Sequence, residues 1–276
     1  LAMVAFAGNS LLCRAALKDT GIDAASFTTV RLISGALILG LIVWLRNGKK
    51  VGEGSWLSAF ALFVYAAAFS FAYISLPTAT GALILFAAVQ ATMIGFGIAS
   101  GERLVRTQVL GLVIAFTGLI GLLLPGLAAP PLTGSFLMLA AGVAWGIYSL
   151  RGKGAGDPIR VTSGNFLRAV PITAVMSLSM LGGFSMDAAG FGYAVASGVL
   201  ASGLGYVVWY QVLPALQATS AASLQLTVPV IAGVSGILIL GEPLSLRLIL
   251  TSIAILGGVA LVIRYKKDTP RSNPLS

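Results

Sequence analysis

The side chains of this sequence that could do chemistry are aromatic rings, phenol hydroxyls and amides rather than acids, bases or nucleophiles. The chain contains no His and a single Cys, Cys13. Its eight acidic residues all fall in predicted loops or at predicted helix ends. A hydrolase or transferase needs a set of buried titratable or nucleophilic groups or a metal site, and one Cys supports neither a disulfide nor a Cys-ligated metal. The sequence therefore predicts binding without catalysis, and no cofactor.

The aromatic residues recur at spacings that place them on common helix faces. Tyr206, Trp209 and Tyr210 lie at i, i+3 and i+4, on one side of a helix. Further sets are Trp145 with Tyr148, and Tyr65 with Phe69 and Tyr73. Rings near the ends of spans often belong to interfacial belts, and that alternative stays open for Trp209 and Tyr210. Trp145, Tyr148 and Tyr206 lie deeper, where a hydroxyl or indole N–H needs a polar partner, so we expect them to line a wet cavity.

Three amides, Asn9, Gln90 and Gln225, lie well inside predicted spans, where an unpaired amide costs about 2 to 7 kcal/mol. Each could instead form a hydrogen bond that only holds two helices together, and that alternative also stays open. Pro229 follows Gln225 by four residues, and a proline has no N–H for the carbonyl at that position. We expect the side chain and the freed carbonyl of Gln225 to accept hydrogen bonds from an ammonium group.

Together, these aromatic and amide residues form the predicted substrate-binding set around a central cavity. The set contains Trp145, Tyr148, Tyr206, Gln225, Asn9, Tyr73, Gln90 and Trp209. A lining of many rings and amides with few charges suits a zwitterion with an apolar side chain. A cationic drug would favour a buried Glu, and a nucleotide diphosphate would favour several buried Lys or Arg.

The elements that carry these residues are membrane-spanning helices. Hydrophobic residues make up 58% of the chain and charged residues 9%, whereas soluble domains contain about 25% charged residues. Each crossing takes about 20 residues, and short polar loops separate the apolar runs at that spacing. The predicted fold class is an all-α integral membrane protein with ten transmembrane helices. They are expected at 1–17, 26–45, 56–76, 78–99, 106–124, 134–150, 161–181, 189–213, 218–240 and 246–264.

Lysine and arginine are distributed unequally between the two sides of this topology. With both termini on one side, that side holds 12 of the 17 basic residues, and the other side holds only Arg14, Lys18 and Arg247. Cytoplasmic loops carry the excess of Lys and Arg, so both termini are predicted to be cytoplasmic. The net charge of +9 is attributed to this bias and to contact with anionic lipids. We expect the lipid bilayer as a partner and no nucleic acid.

The two halves of the chain resemble each other. The matching pairs, at a spacing of 137 or 140 residues, are Arg14 with Arg151, Arg31 with Arg168, and Glu102 with Glu242. The predicted units are a first half at 1–125, a second half at 134–264, and a basic cytoplasmic tail at 265–276. Because each half holds five helices, an odd number, the second half must enter the membrane inverted relative to the first. Inverted repeats of this kind place a substrate site near the midplane at the interface between the repeats.

On these features, the chain resembles the drug/metabolite transporter superfamily, and within it the EamA-type exporters with ten helices. The resemblance covers the whole chain and rests on the paired halves, the Arg early in the second helix of each, and the Gly-Glu that ends the fourth. Pro229 in Thr-Val-Pro-Val also fits the second repeat, whereas Val89 stands at the equivalent position of the first. The nearest resemblance is to the aromatic amino acid exporters of the YddG type. It implies export of amino acids across a bacterial inner membrane.

Arg31 and Arg168 are the only basic residues inside the predicted spans. Intramembrane charges often mark substrate sites, but both residues lie within two turns of a helix start. Snorkelling to the headgroups is therefore the favoured interpretation. Glu102 and Glu242 are expected at the water line, paired with loop arginines. Since no acidic residue falls in mid-membrane, the sequence predicts a facilitative carrier, with proton coupling through the two glutamates as the alternative.

The predicted function is export of aromatic and other neutral amino acids by alternating access, and the protein is expected to act as a monomer. The alternative is a proton-coupled exporter of another small metabolite or drug in the same superfamily. A channel would present rings of like groups from symmetric subunits. A single chain with an inverted repeat suits a carrier better.

Overall fold

The computed structural model describes residues 1–47, 53–101, 104–124, 126, 129–152, 156–212 and 224–264. Within those residues, the chain forms ten helices of at least 14 residues. They are α1 (Ala2–Asp19), α2 (Ala24–Asn47), α3 (Trp56–Tyr73), α4 (Thr78–Ala99), α5 (Arg106–Leu123), α6 (Leu132–Arg151), α7 (Pro158–Ser179), α8 (Ala188–Val212), α9 (Thr227–Leu240) and α10 (Leu246–Arg264). The predicted tail at 265–276, Glu102 and the first six residues of the predicted ninth helix lie outside the described residues.

The helix boundaries follow from capping side chains in the loops. The carboxylates of Asp157 and Asp187 accept hydrogen bonds from backbone N–H groups in the first turns of α7 and α8. The hydroxyl of Ser55 does the same for α3. Gly241 closes α9 with a φ of 62°, a left-handed conformation that favours glycine. These residues therefore mark the starts of α3, α7 and α8 and the end of α9.

Seven of the described helices are long and apolar enough to cross a bilayer, namely α2, α3, α4, α5, α6, α8 and α10. This confirms the all-α membrane class, and the ten crossings in two inverted repeats stay a prediction. The first helix carries Arg14, Lys18 and Asp19 within 18 residues, and α7 carries Arg160 and Arg168. The ninth helix has only 14 described residues, about 21 Å at 1.5 Å per residue.

The ninth helix also begins later than predicted. It starts at Thr227, so Pro229 lies in its first turn, and Leu226 separates it from the helical residues Leu224 and Gln225. The first N–H groups of a helix have no intrahelical partner in any case. Pro229 therefore removes no helical hydrogen bond from the carbonyl of Gln225. The expectation that a proline within one continuous helix frees this carbonyl is wrong, because Gln225 precedes the start of α9.

Small residues set the closest helix packing. A Cβ atom added to Gly111 of α5 would lie 2.6 Å from the carbonyl oxygen of Gly258 of α10, and one added to Gly258 would lie 2.5 Å from that of Gly111. Gly118 packs in the same way against Ala254 and Ile255. Such glycines let two helix backbones approach closely, so α5 and α10 form one tight pair.

The contacts between helices follow a regular pattern. The pairs α2–α7, α4–α9 and α5–α10 join each helix to the one five places later in the chain. The contacts α3–α6, α4–α6 and α3–α7 have counterparts in α8–α1, α9–α1 and α8–α2. Exchanging the two halves of the chain therefore maps these helix contacts onto one another.

Candidate functional site

Five aromatic side chains from four helices meet in the interior and form what we call the aromatic cluster. Its members are Phe6, Tyr65, Phe69, Trp145 and Tyr206. The ring centroids of Trp145 lie 4.9 Å from those of Tyr65 and 5.1 Å from those of Tyr206. These separations are in the range where aromatic pairs stabilise each other by about 0.5 to 1.5 kcal/mol beyond area burial. The cluster thus joins α1, α3, α6 and α8.

A small cavity lies at the centre of this cluster. It is lined by Phe6, Asn9, Tyr65, Phe69, Leu85, Phe86, Trp145, Ala201 and Tyr206. Its volume is about 10 Å³, close to the minimum of about 10 to 15 Å³ that one water molecule needs. In this conformation, the interior is closed around the rings, and room for a metabolite requires the helices to move apart.

The structure places three of the predicted site residues, Asn9, Trp145 and Tyr206, on the wall of this cavity. Tyr148 lies behind Trp145, and the centroids of the two rings are 5.7 Å apart. Trp209 contacts Phe6 at 6.0 Å. Both residues therefore support the lining from the side.

Tyr73 lies at the far end of the same row of rings on α3. Its ring packs edge-to-face on Phe69 at 4.7 Å, and its hydroxyl donates to the carbonyl oxygen of Thr78 at 3.4 Å. The side chain is completely buried. Tyr73 thus connects the aromatic cluster to the start of α4.

The structure does not bring Gln90 and Gln225 into the cavity wall. Gln90 lies on a separate cavity of about 460 Å³ between α4, α5, α6 and α10, and its amide nitrogen has no hydrogen-bond partner. Gln225 is buried, and its side-chain oxygen is likewise unpartnered. The three predicted amides therefore occupy three different environments.

Arg31 also lies in this region, although the sequence analysis predicted that its side chain reaches the lipid headgroups. Its side chain is 1% exposed, and its guanidinium carbon lies 5.2 Å from the ring centroid of Tyr65 and 5.1 Å from that of Phe69. Nε donates to the hydroxyl of Ser202 at 3.0 Å, and Nη2 donates to that of Tyr65 at 3.2 Å. Arg31 therefore points into the bundle, and only its neighbours on two other helices, α3 and α8, could have indicated this.

Arg168, the sequence equivalent of Arg31, has different surroundings. It is partly exposed, and its Nη1 donates to the carbonyl oxygen of Gly164 on its own helix at 2.9 Å. Gly164 packs so closely on the backbone of Glu53 that a Cβ atom there would collide with it. The favoured sequence interpretation suits Arg168 better than Arg31.

A π-helical segment, Ser197–Leu204 of α8, supplies two of the polar contacts to this region. Ser202 receives the hydrogen bond from Arg31, and Ser197 donates to the side-chain oxygen of Asn9 at 2.6 Å. The amide nitrogen of Asn9 lies 3.4 Å from the hydroxyl of Tyr65. Segments of π-helix often occur at functional sites because they leave backbone groups unpaired and reorient side chains. Here the segment joins α1, α2 and α8 beside the aromatic cluster.

One end of the bundle is held by an acidic residue between the halves, and we call it the Arg14 end. Glu242 accepts hydrogen bonds from the backbone N–H of Thr78 at 2.8 Å and lies 3.5 Å from Nε of Arg14. Arg14 also donates to the carbonyl oxygens of Tyr73 and Ile74 at 2.8 Å each. Glu242 was expected at the water line beside a loop arginine, but it is buried and its partner belongs to α1.

A second acidic contact lies at the Arg14 end, between two loops. Asp23 accepts hydrogen bonds from the backbone N–H of Ala25, Ser26 and Ser185. Partial burial raises the pKa of this carboxyl, but the hydrogen bonds led by that of Ser185 outweigh it, so the pKa lies below its ordinary value. Asp23 therefore stays ionised at neutral pH and joins the loop before α2 to the loop before α8.

The opposite end of α3 lies at what we call the Arg151 end. Nε of Arg151 donates to the hydroxyl of Ser58 at 3.1 Å, and the side-chain oxygen of Asn165 accepts from the backbone N–H of Ser55 at 3.0 Å. Arg160 pairs with Glu53 at 2.9 Å, with side chains 23% and 45% exposed. The described residues at this end join the two halves through neutral groups and one exposed ion pair.

Comparison with known proteins identifies the family. The model of the EamA-like transporter family matches residues 132–264, the segment from α6 to α10. An uncharacterized protein of Pseudomonas aeruginosa is 56% identical to this chain over 95% of it and over 92% of its own length. The chain belongs to the EamA-like transporter family. It is therefore a multi-pass membrane transporter of this family.

Two further relatives carry transporter names. An uncharacterized transporter of Archaeoglobus fulgidus is 28% identical over 85% of this chain and 84% of its own length. The threonine/homoserine exporter RhtA of Salmonella typhimurium is 35% identical over 48% of this chain and 47% of its own length. The EamA-type assignment made from the paired halves is thereby confirmed.

A crystal structure of a distant protein shares the fold. It superposes with a TM-score of 0.68, covers 96% of both chains and has 16% sequence identity. At this identity, the likeness concerns the arrangement of helices alone. The helix arrangement is thus shared along almost the whole chain, including the half that lies outside the family match.

Proposed function

We propose that this protein is a carrier that exports amino acids, aromatic and other neutral ones, by alternating access. The observation that carries the proposal is the closed cavity within the aromatic cluster, which lies between two polar closures at opposite ends of α3. A carrier must open one closure while the other stays shut. Both closures join the first half of the chain to the second, so relative movement of the halves would break and re-form their contacts.

The proposed architecture has ten spans in two inverted repeats. The exchange pattern of helix contacts supports it. So does the grouping of residues at the ends, because ten crossings would put Arg14, Thr78 and Glu242 on one side and Ser58 and Arg151 on the other. On the proposed topology, α1, α7 and α9 also cross the membrane, with their polar groups covered by neighbouring helices rather than by lipid.

The proposed substrates are amino acids, by similarity to the threonine/homoserine exporter among the relatives and by the chemistry of the interior. The cavity wall combines six rings with the amide of Asn9, and one arginine, Arg31, lies beside it. Rings take an apolar side chain, and the polar groups take the zwitterion. This is the basis for placing aromatic amino acids, as in exporters of the YddG type, among the substrates.

We propose that transport runs down the gradient of the substrate. The described residues place no carboxylate in the aromatic cluster, which leaves no proton carrier beside the cavity. The second candidate is proton-coupled export, which the buried position of a carboxylate, Glu242, between the two halves at the Arg14 end favours. We place the protein in a bacterial inner membrane as a monomer, with the Arg14 end outside and both termini in the cytoplasm.

Counterflow in liposomes tests the proposed function. The purified full chain is reconstituted with an excess of one unlabelled amino acid inside, and entry of the same radiolabelled amino acid is followed over a panel of twenty. We expect transient accumulation of phenylalanine, tryptophan and several neutral amino acids, and none in protein-free liposomes. A proton gradient directed out of the liposomes, with no substrate inside, separates the two candidates, because only a carrier that exchanges substrate for protons would concentrate the label. Absence of counterflow for every amino acid would exclude the proposed substrate class.

A further inference from the structure

Among the residues that the structure describes, no carboxylate pairs with Arg31, a desolvated cation. Its Nη1 atom is buried and has no hydrogen-bond partner, and the partners of its other two nitrogens, Ser202 and Tyr65, are neutral. The ion pairs among the described residues involve Arg14 with Glu242 and Arg160 with Glu53. A buried charge with no opposite charge is costly, and two aromatic faces supply only part of the compensation.

A second donor close to Arg31 is also unsatisfied. The hydroxyl of Tyr206 is buried and has no partner, although Tyr206 lines the cavity. Tyr206 follows Ser202, the partner of Arg31, by four residues on α8, and its ring packs on Trp145, which in turn packs on Tyr65. Buried polar groups are nearly always hydrogen-bonded, so the joint occurrence of an open guanidinium N–H and an open phenol O–H indicates that an acceptor belongs here.

The missing acceptor has a definite chemistry. It must carry negative charge to balance the guanidinium, and it must offer more than one oxygen to reach both donors. A carboxylate meets both conditions, and arginine binds carboxylates through parallel hydrogen bonds that a neutral group cannot match. The rings of Tyr65, Trp145 and Phe69 then surround whatever is attached to that carboxylate.

We propose that Arg31, assisted by Tyr206, binds the carboxylate of the transported amino acid. This assignment rests on the proposed function and specifies which end of the substrate the site recognises. The cavity opens toward Arg31 when the helices separate, and the substrate carboxylate then replaces the missing counter-ion. Arg31 contacts α3 and the π-helical segment of α8, so its occupation links helices from both halves.

The test compares phenylalanine with phenylalaninamide, which lacks the carboxylate charge and keeps the ring and the amine. In liposomes with the full chain, each unlabelled compound competes against counterflow of radiolabelled phenylalanine. For the natural chain, we expect half-inhibition by the amide to need at least about tenfold more compound than by the acid, the factor that a charge-assisted contact worth about 1.4 kcal/mol provides. N-acetylphenylalanine, which keeps the carboxylate, should compete better than the amide.

Arg31→Gln should bring the two half-inhibition concentrations within about twofold of each other, because a glutamine retains hydrogen bonding to Ser202 but not the charge. Arg168→Gln is the matched control in the other half, and it should preserve the preference for the acid. A purely structural role of Arg31 would lower both apparent affinities or the rate and leave their ratio unchanged. That result would overturn the assignment.

Tyr206→Phe keeps the proposal testable if Arg31→Gln does not fold. This change removes a hydroxyl that bonds to nothing in the closed conformation, so the protein should insert normally. We expect it to reduce the preference for the acid about threefold, or about 0.65 kcal/mol. An unchanged ratio in Tyr206→Phe, beside an unfolded Arg31→Gln, would count against the site. If the natural chain shows no amino acid counterflow at all, the proposed function fails instead, which is a separate outcome.

Discussion

At the Arg14 end the two halves of the chain meet through a buried carboxylate, whereas at the Arg151 end they meet through serine hydroxyls and an exposed ion pair. The side chains of Arg14 and Glu242 are 14% and 7% exposed, against 23% and 45% for Arg160 and Glu53. Solvent screens an exposed pair strongly and a buried one weakly. The Arg14 end should therefore be the harder of the two to open.

The comparison is informative because the sequence pairs Arg14 with Arg151. Arg14 lies in the last two turns of α1, and Arg151 is the last residue of α6. Both contact α3: Arg14 donates to carbonyl oxygens at its end, and Arg151 donates to hydroxyls at its start. Within the part of the chain that the structure describes, the two ends differ in whether a carboxylate also lies beside the arginine. Glu242 adds a charge at one end, and its sequence equivalent, Glu102, lies outside the described residues. Among the described residues, Arg14 therefore has a charged partner, whereas Arg151 has hydroxyl partners.

Cys13 offers a reporter for this difference. It is the only cysteine of the chain, it precedes Arg14 on α1, and it is completely buried. A membrane-impermeant thiol reagent should reach it only when the Arg14 end opens. Its labelling rate in liposomes therefore measures how often that end is open.

Glu242→Ala should give the largest effect. Removing one member of a buried pair leaves the other uncompensated and costs about 3 to 5 kcal/mol, and here the first turn of α4 also loses its acceptor. We expect Cys13 labelling to accelerate at least about tenfold, since each 1.4 kcal/mol is a factor of ten. Labelling as slow as in the natural chain would show that the carboxylate does not hold this end closed.

Arg151→Ala should act in the opposite direction and less strongly. Its hydrogen bonds involve a charged donor and neutral hydroxyls, and such bonds are worth about 1.5 to 3 kcal/mol. Weakening the Arg151 end should populate the state in which the Arg14 end is shut, so Cys13 labelling should slow or stay the same. Faster labelling would indicate that the two ends open together, contrary to alternating access.

Asp23→Ala should have a moderate effect that depends on pH. Loss of a capping acceptor costs about 0.5 to 2 kcal/mol, so at pH 7 the apparent melting temperature in detergent should fall by about 1 to 8 °C. The native carboxyl has a lowered pKa, so its contribution is complete above the ordinary value of 3.8 and is lost as the pH falls through the lowered pKa. The natural chain and the variant should therefore differ equally at pH 7 and pH 5, and converge only below about pH 4.

Glu53→Ala should give the smallest effect and serves as the control for Glu242→Ala. Exposed ion pairs contribute about 0 to 1 kcal/mol, so Cys13 labelling should change less than about fivefold. High salt should leave the labelling difference between the natural chain and Glu242→Ala largely intact, while removing the one for Glu53→Ala. An equal response of both variants to salt would contradict the contrast between a buried and an exposed closure.

Arg31 and Glu242 mark the limit of what could be predicted for the candidate site. Both are charged residues near helix ends, where water or headgroups are within reach of a flexible side chain. The sequence analysis therefore predicted that Arg31 would reach the headgroups and that Glu242 would lie at the water line. Their burial depends on partners 34 to 171 residues away for Arg31 and 164 away for Glu242, and no local pattern contains that information.

The membrane class, the helical fold and the approximate positions of the helices were determined by the sequence alone. In a bilayer, the polar groups of the backbone must form hydrogen bonds within the protein. An apolar run of about 20 residues meets this requirement as an α-helix. The transporter family also followed from short motifs at repeated spacings, and the family match agrees with it.

The identity of the cavity wall was decided by the tertiary structure. Asn9, Trp145 and Tyr206 face one small space, while Gln90 faces another, although all four lie well inside predicted spans. Which face of a helix turns inward depends on close contacts between glycines and neighbouring backbones and on the π-helical segment of α8, and these arise only when distant helices pack. Sequence periodicity is weak in such a chain because lipid and protein interior are equally apolar.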